Sequence, residues 1–229
     1  MLGTIVNAIA ILIGGGLGLL LKKGFPQRIA DTLMGAAGLV VVYIGIDGAL
    51  EGSKTLVAVI SMFVGGAIGS LIDIDKWMNR LGDKVQQLFT RGNASGENTF
   101  AQGFVSASLL FCIGAMAVVG SLQSGLVGDH STLFAKSIID AVSAVVFAST
   151  MGPGVLLSAV AVFLYQGAIT LLAQVLEPLL TEAIIAEMTC VGSLLIIAIG
   201  LNLLKVTKIK VANFLPAIFL PILLMQFMG

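Results

Sequence analysis

Thr132–Leu–Phe–Ala–Lys136–Ser137–Ile–Ile–Asp140–Ala–Val–Ser143–Ala–Val–Val–Phe147 carries two opposite charges inside an otherwise apolar run. At four-residue spacing on a helix, Lys136 and Asp140 share one face about one turn apart. An unpaired charge near the centre of a bilayer costs at least ~2.5–3.5 kcal/mol, so such groups pair or face a polar cavity. Two readings of the pair stand. In one it is a structural ion pair, relieved by Lys136 snorkelling outward. In the other Asp140 is a cation or proton site, with Lys136 as its counter-ion or alternating partner.

The surrounding chain has the composition such a segment requires. Of 229 residues 58% are hydrophobic and 10% charged, and mean hydropathy is +1.08. Soluble domains carry about 25% charge. The pattern predicts an all-α, polytopic helical membrane protein in a single integral membrane domain, residues 1–229. With about 20 apolar residues per span, eight transmembrane helices are expected, near 2–21, 30–50, 55–73, 100–121, 131–150, 153–175, 186–204 and 210–228. The first lacks a preceding basic region and is read as a retained span, not a signal peptide. Leu179–Ala186 could form a short surface helix before the seventh.

Ten basic residues fall in three loops on one side of that arrangement: Lys22, Lys23 and Arg28; Lys76, Arg80, Lys84 and Arg91; Lys205, Lys208 and Lys210. The other side has Lys54 alone. Basic loops stay cytoplasmic, so both termini are expected to face outward. In Asp75–Arg91, Trp77, Met78, Leu81, Val85, Leu88 and Phe89 share one helical face, and Lys76, Arg80 and Lys84 run down another at four-residue spacing. That predicts an amphipathic helix on the cytoplasmic membrane surface, or one that docks a partner. Asn93–Ala–Ser95 matches a glycosylation acceptor but lies on the cytoplasmic side.

Gly14/Gly18 and Gly65/Gly69 repeat the small-residue spacing that allows close helix contact in lipid. A register shift of 155 residues lays Gly38–Ile46 and Asp47 over Ser193–Leu201 and Asn202. This suggests a 3+2+3 inverted repeat, with spans 4 and 5 outside it, as in many secondary transporters.

Spans 4 and 5 hold the densest polarity. Ser121 and Gln123 approach from the same side as Lys136, Ser137, Asp140 and Ser143, and Asn7 of span 1 lies at comparable depth. These seven residues are the candidate substrate- or ion-binding set. Gly152–Pro153–Gly154 ends one helix and starts the next, or else forms a broken-helix ligand site. Pro216 and Pro221 predict a kink in span 8. Cys112 and Cys190 lack metal-ligand spacing, His130 is the lone histidine, and no phosphate-binding loop or nucleophile motif occurs. No enzyme activity, cofactor, metal or nucleic-acid partner is expected.

The strips Gly3–Thr–Ile–Val–Asn7–Ala–Ile–Ala10, Phe111–Cys–Ile–Gly114–Ala–Met116 through Gly128–Asp129, and Lys136–Ser–Ile–Ile–Asp140 through Gly152–Pro–Gly154 and Ser158 resemble the bacterial YdfK/YqgA family. The resemblance implies a bacterial inner-membrane protein and supplies no substrate. The expected function is a secondary transporter or exporter of a small polar or ionic solute. The alternatives are an oligomeric ion channel, or a membrane scaffold or sensor subunit. The expected partners are the lipid bilayer, the solute or ion, and further copies of the chain joined through glycine-rich helices.

Overall fold

The computed structural model describes residues 1–22, 27–77, 79–80, 99–113 and 115–228. Its helices are α1 (Leu2–Lys22), α2 (Gln27–Ala49), α3 (Thr55–Ile72), α4 (Thr99–Cys112), α5 (Ala115–Leu126), α6 (Ser131–Met151), α7 (Gly154–Leu171), α8 (Ala173–Leu176) and α9 (Glu182–Leu203). A 3-10 helix (Val211–Phe219) and α10 (Leu220–Met228) follow. No strand occurs among the described residues.

Five of these helices are long and apolar enough to cross a membrane, and the bent pair α4–α5 makes six if it counts as one span. Helix α6 is inside out. Lys136, Ser137 and Asp140 are buried, whereas Ile138, Ile139 and Val142 are 69%, 55% and 62% exposed. In water that arrangement would pay twice, hiding charge and displaying hydrocarbon; in lipid the exposed face is solvated by acyl chains. The chain is a membrane-embedded helical protein.

Backbone chemistry sets the ends. The Asp73 N–H closes α3 onto the Gly69 and Ser70 carbonyls from a left-handed φ of 55°. Gly152 (φ 88°) and Pro153 leave only two residues between α6 and α7, a tight turn. Thr181 Oγ1 accepts from the Ile184 N–H (3.4 Å), so residues 182–186 are the opening turns of α9 and not part of a separate surface helix. The kink expected at Pro216 and Pro221 takes the form of a change of winding, from 3-10 to α at Leu220. The fourth expected span, 100–121, is not one straight helix. It breaks after Cys112 and bends by 60°. Gly192 of α9 closes on Ile113 at the break. Of the expected surface helix 75–91, residues 74–77 are helical and Trp77 is 66% exposed. Residues 81–98, the glycosylation-like triplet included, lie outside the described residues.

Helix directions follow from the close contacts. Gly14 meets the Ala141 carbonyl and Gly18 the Val145 carbonyl, so α1 runs parallel to α6. Asn7 meets Gln166 and Gly15 meets Leu156, so α1 is antiparallel to α7. Gly38 faces Gly200 and Gly45 faces Ile197 and Ser193, which makes α2 and α9 antiparallel. Gly65 and Gly69 reach Ala217 and Asn213, which sets α3 antiparallel to the 3-10 helix. The main core threads between these pairs through Ile11, Val41, Phe111, Phe147, Val162 and Leu195.

Candidate functional site

Asp140 occupies the buried face of α6 and chelates the Lys136 ammonium, with Nζ donating to Oδ2 at 2.7 Å and Oδ1 at 2.8 Å. Both side chains are almost entirely buried. The parallel approach of α1, permitted by Gly14 and Gly18, brings Asn7 alongside. Its Nδ2 donates to Asp140 Oδ2 (3.0 Å) and to Gln166 Oε1 of α7 (3.3 Å). Three helices are thus tied by one polar chain, Lys136–Asp140–Asn7–Gln166. Several nearby capacities stay open. Asn7 Oδ1, Gln166 Nε2, Thr170 Oγ1 and Thr4 Oγ1 are buried without a hydrogen-bond partner.

The other expected residues are distributed differently. Ser137 and Ser121 donate back to Leu133 and Ala117 of their own helices at 2.7 Å. Gln123 Oε1 accepts from Thr132 Oγ1 (2.8 Å) where α5 turns into α6, and no hydrogen bond takes it to Asp140. Ser143 is half-buried on the wall of a cavity of about 340 Å³ that also touches Lys136 and Asp140. The cavity is also lined by Asp47 and Glu51 at the end of α2, by Thr189 and Ser193 of α9, and by Phe111 and Ile113 at the α4–α5 break. Burial, and then the charge of Asp47, raise the Glu51 carboxyl above its ordinary value. Three carboxylates therefore meet one ammonium, and the cavity is net negative when all are ionised.

A second cavity, about 460 Å³, approaches along the same two helices from the opposite end. It is lined by Gln102 and Ser106 of α4, Asn202 of α9, and Asp75, Lys208 and Lys210. Ser106 and Leu110 on α4, with Ile199 and Ile196 on α9, mark the facing limits of the two cavities. At 1.5 Å rise per residue, the septum between them is roughly 5 Å thick. Ala107 within it is buried, while Leu109 lines a third, apolar cavity of about 220 Å³ that shares Val105 with the second cavity and Ile113 with the first.

Sequence reasoning missed Gln166 and Glu187. Gln166 interrupts the apolar run Val160–Ile169 by the same logic that flags Lys136. Glu187, near the start of the expected seventh span, has a side chain only 1% exposed. The free thiols Cys112 and Cys190 are not joined.

A family described as "Protein of unknown function (DUF554)" matches residues 2–226. The chain is 35% identical over 225 residues to "Uncharacterized membrane protein YdfK" of Bacillus subtilis (strain 168), covering 96% of this chain and 94% of that protein. It is 31% identical over 221 residues to "Uncharacterized protein YqgA" of Escherichia coli (strain K12), with the same shares covered. No solved structure matches.

Proposed function

We propose, for a chain that belongs to the DUF554 family, a secondary transporter or exporter of a small polar or ionic solute, working without ATP hydrolysis of its own. The observation that carries this reading is the buried Lys136–Asp140 pair on the wall of a cavity, beside a broken span. Broken helices at mid-membrane expose backbone groups to a solute and recur in carriers. In the proposed cycle Lys136 holds Asp140 while the site is empty. A cation or proton arriving at Asp140 displaces the ammonium, and Asn7 keeps the carboxylate oriented through the exchange. The solute site is proposed to comprise Asp140, Lys136 and Asn7, with Ser143 on the cavity wall. Ser121, Ser137 and Gln123 act around it.

The architecture proposed is eight spans in a bacterial inner membrane, both termini outside. The six spans above are joined by two shorter apolar helices, at 35–49 and 211–227, and every direction inferred from the helix contacts fits strict alternation. The 3+2+3 inverted repeat has support from α2 and α9. A Cβ on Gly200 would lie 2.6 Å from Val42 Cγ2, and one on Gly45 would lie 2.6 Å from Ile197 Cγ1. Under the 155-residue shift these are the same contact with its partners exchanged, as a two-fold axis in the membrane plane requires. Helices assembling into a homo-oligomer would use Gly16 and Gly35, beside which a Cβ would find nothing within 4 Å. The Gly14/Gly18 and Gly65/Gly69 faces are already filled from within the chain.

Flux in proteoliposomes tests the reading. Sodium, potassium, proton and guanidinium movement is followed for the native chain, Asp140→Asn, and Lys136→Met/Asp140→Leu. Flux of one of these ions that both variants abolish is expected; flux that survives in the apolar double variant refutes Asp140 as the site. The channel alternative predicts unitary currents in planar bilayers.

A further inference from the structure

We propose that the solute is an organic cation with a short apolar body, its charge held in the cavity beside Asp140 and its hydrocarbon in the apolar cavity on the far side of Ile113. The proposal rests on the carrier reading above and names the substrate class of that site. The charged half has open acceptors. Asp47 and Glu51 are exposed, line the cavity, and enter no hydrogen bond or ion pair among the described residues. Lys136, the ammonium on that wall, is already held by both oxygens of Asp140. Lys54, the next cation along the chain from Glu51, lines a different cavity at the start of α3. An entering cation therefore meets carboxylates that have no cation of their own, in a cleft whose net negative charge draws it in.

The apolar half is built on one stripe of α4. Val105, Ser108, Leu109 and Cys112 recur at the spacing of a single helix face, and with Tyr165 of α7 and Phe219 of the 3-10 helix they line about 220 Å³. Among the described residues, Ile113 is the one common to this lining and that of the acidic cavity. It is half-buried and stands at the break between α4 and α5. The side chain that separates charged from apolar space thus sits where the span bends. Together the two volumes, about 340 and 220 Å³, suit a small molecule. Charge beside hydrocarbon selects its class. A metal ion is satisfied by oxygen ligands and gains nothing from the apolar cavity. An alkylammonium uses both halves, because its head is drawn to the carboxylates while its tail leaves water for Leu109 and Phe219.

The test titrates the purified full chain in detergent, by calorimetry, with tetramethylammonium, butyltrimethylammonium, hexyltrimethylammonium and hexanol, each corrected by the same titration into protein-free micelles. Affinity is expected to rise about fourfold per methylene across the three cations, and hexanol to give no saturable binding. Ala161→Met, which puts a longer side chain into the apolar cavity, should flatten the series while tetramethylammonium binds as before. Asp47→Asn/Glu51→Gln should weaken every cation. No binding of any cation, equal affinity along the series, an unchanged slope in Ala161→Met, or undiminished binding in Asp47→Asn/Glu51→Gln overturns the proposal. Hexanol binding as tight as that of hexyltrimethylammonium overturns it too, and marks a groove for lipid chains. The native series and hexanol decide the matter even if Ala161→Met fails to fold. Flux in proteoliposomes separates the two readings. Inorganic cation flux beside a flat alkyl series removes the substrate class and leaves the carrier; a steep series with no flux of any cation upholds the ligand class and removes the carrier.

Discussion

The Lys136–Asp140 pair makes opposite forecasts for its single and double removal. Lys136→Met strands a buried carboxylate with only the Asn7 amide beside it, and breaking such a pair from one side costs ~3–5 kcal/mol. Lys136→Met/Asp140→Leu removes both charges and should recover most of that stability in detergent melting, yet remain inactive in flux. Recovery of stability and flux together would mark the pair as structural. Glu51 gives a pH forecast. Its carboxyl titrates above the ordinary value of 4.5, so the cavity gains a negative charge only as pH climbs through that raised value. Cation affinity should rise over that window and flatten in Glu51→Gln. Stability moves the other way, because the folded chain keeps a proton that the unfolded chain has released, and that contribution is lost as pH rises. Lys136, Asp140 and Asn7 were legible in the sequence because a polar residue in an apolar run stands out at any register. Gln166 stood out equally and was passed over for want of charge. Glu187 was illegible, since its burial depends on the α3 terminus 134 residues away.

At the scale of elements, glycines decide which helices touch. A Cβ on Gly69 would collide with the Asn213 carbonyl, whereas one on Gly16 meets nothing within 4 Å. Gly69→Ala should therefore lower stability by ~1–3 kcal/mol, and Gly16→Ala should be neutral or slightly stabilising through helix propensity. Equal melting of the two variants would contradict the α3 packing. The five long apolar helices could be read from length and hydropathy alone, because each must hide its backbone within itself. The α4–α5 break could not. Gly103, Gly114, Gly120 and Gly125 all punctuate that run, and only the approach of Gly192 to Ile113 singles out the place where the helix gives way.

At the scale of the molecule, two cavities enter along α4 and α9 from opposite ends, and the charged pair lines the one that also receives Asp47 and Glu51. The central claim is that this cavity opens to the outer side and is electrically negative. The most direct measurement is the labelling of Ser143→Cys, in a chain with Cys112 and Cys190 replaced by alanine, by impermeant thiol reagents applied outside intact cells. The account predicts modification, about tenfold faster with an ammonium-bearing reagent than with a sulfonate-bearing one, and a smaller ratio when Asp47→Asn and Glu51→Gln are added. Labelling only after the membrane is permeabilised, or equal rates for both reagents, would contradict it.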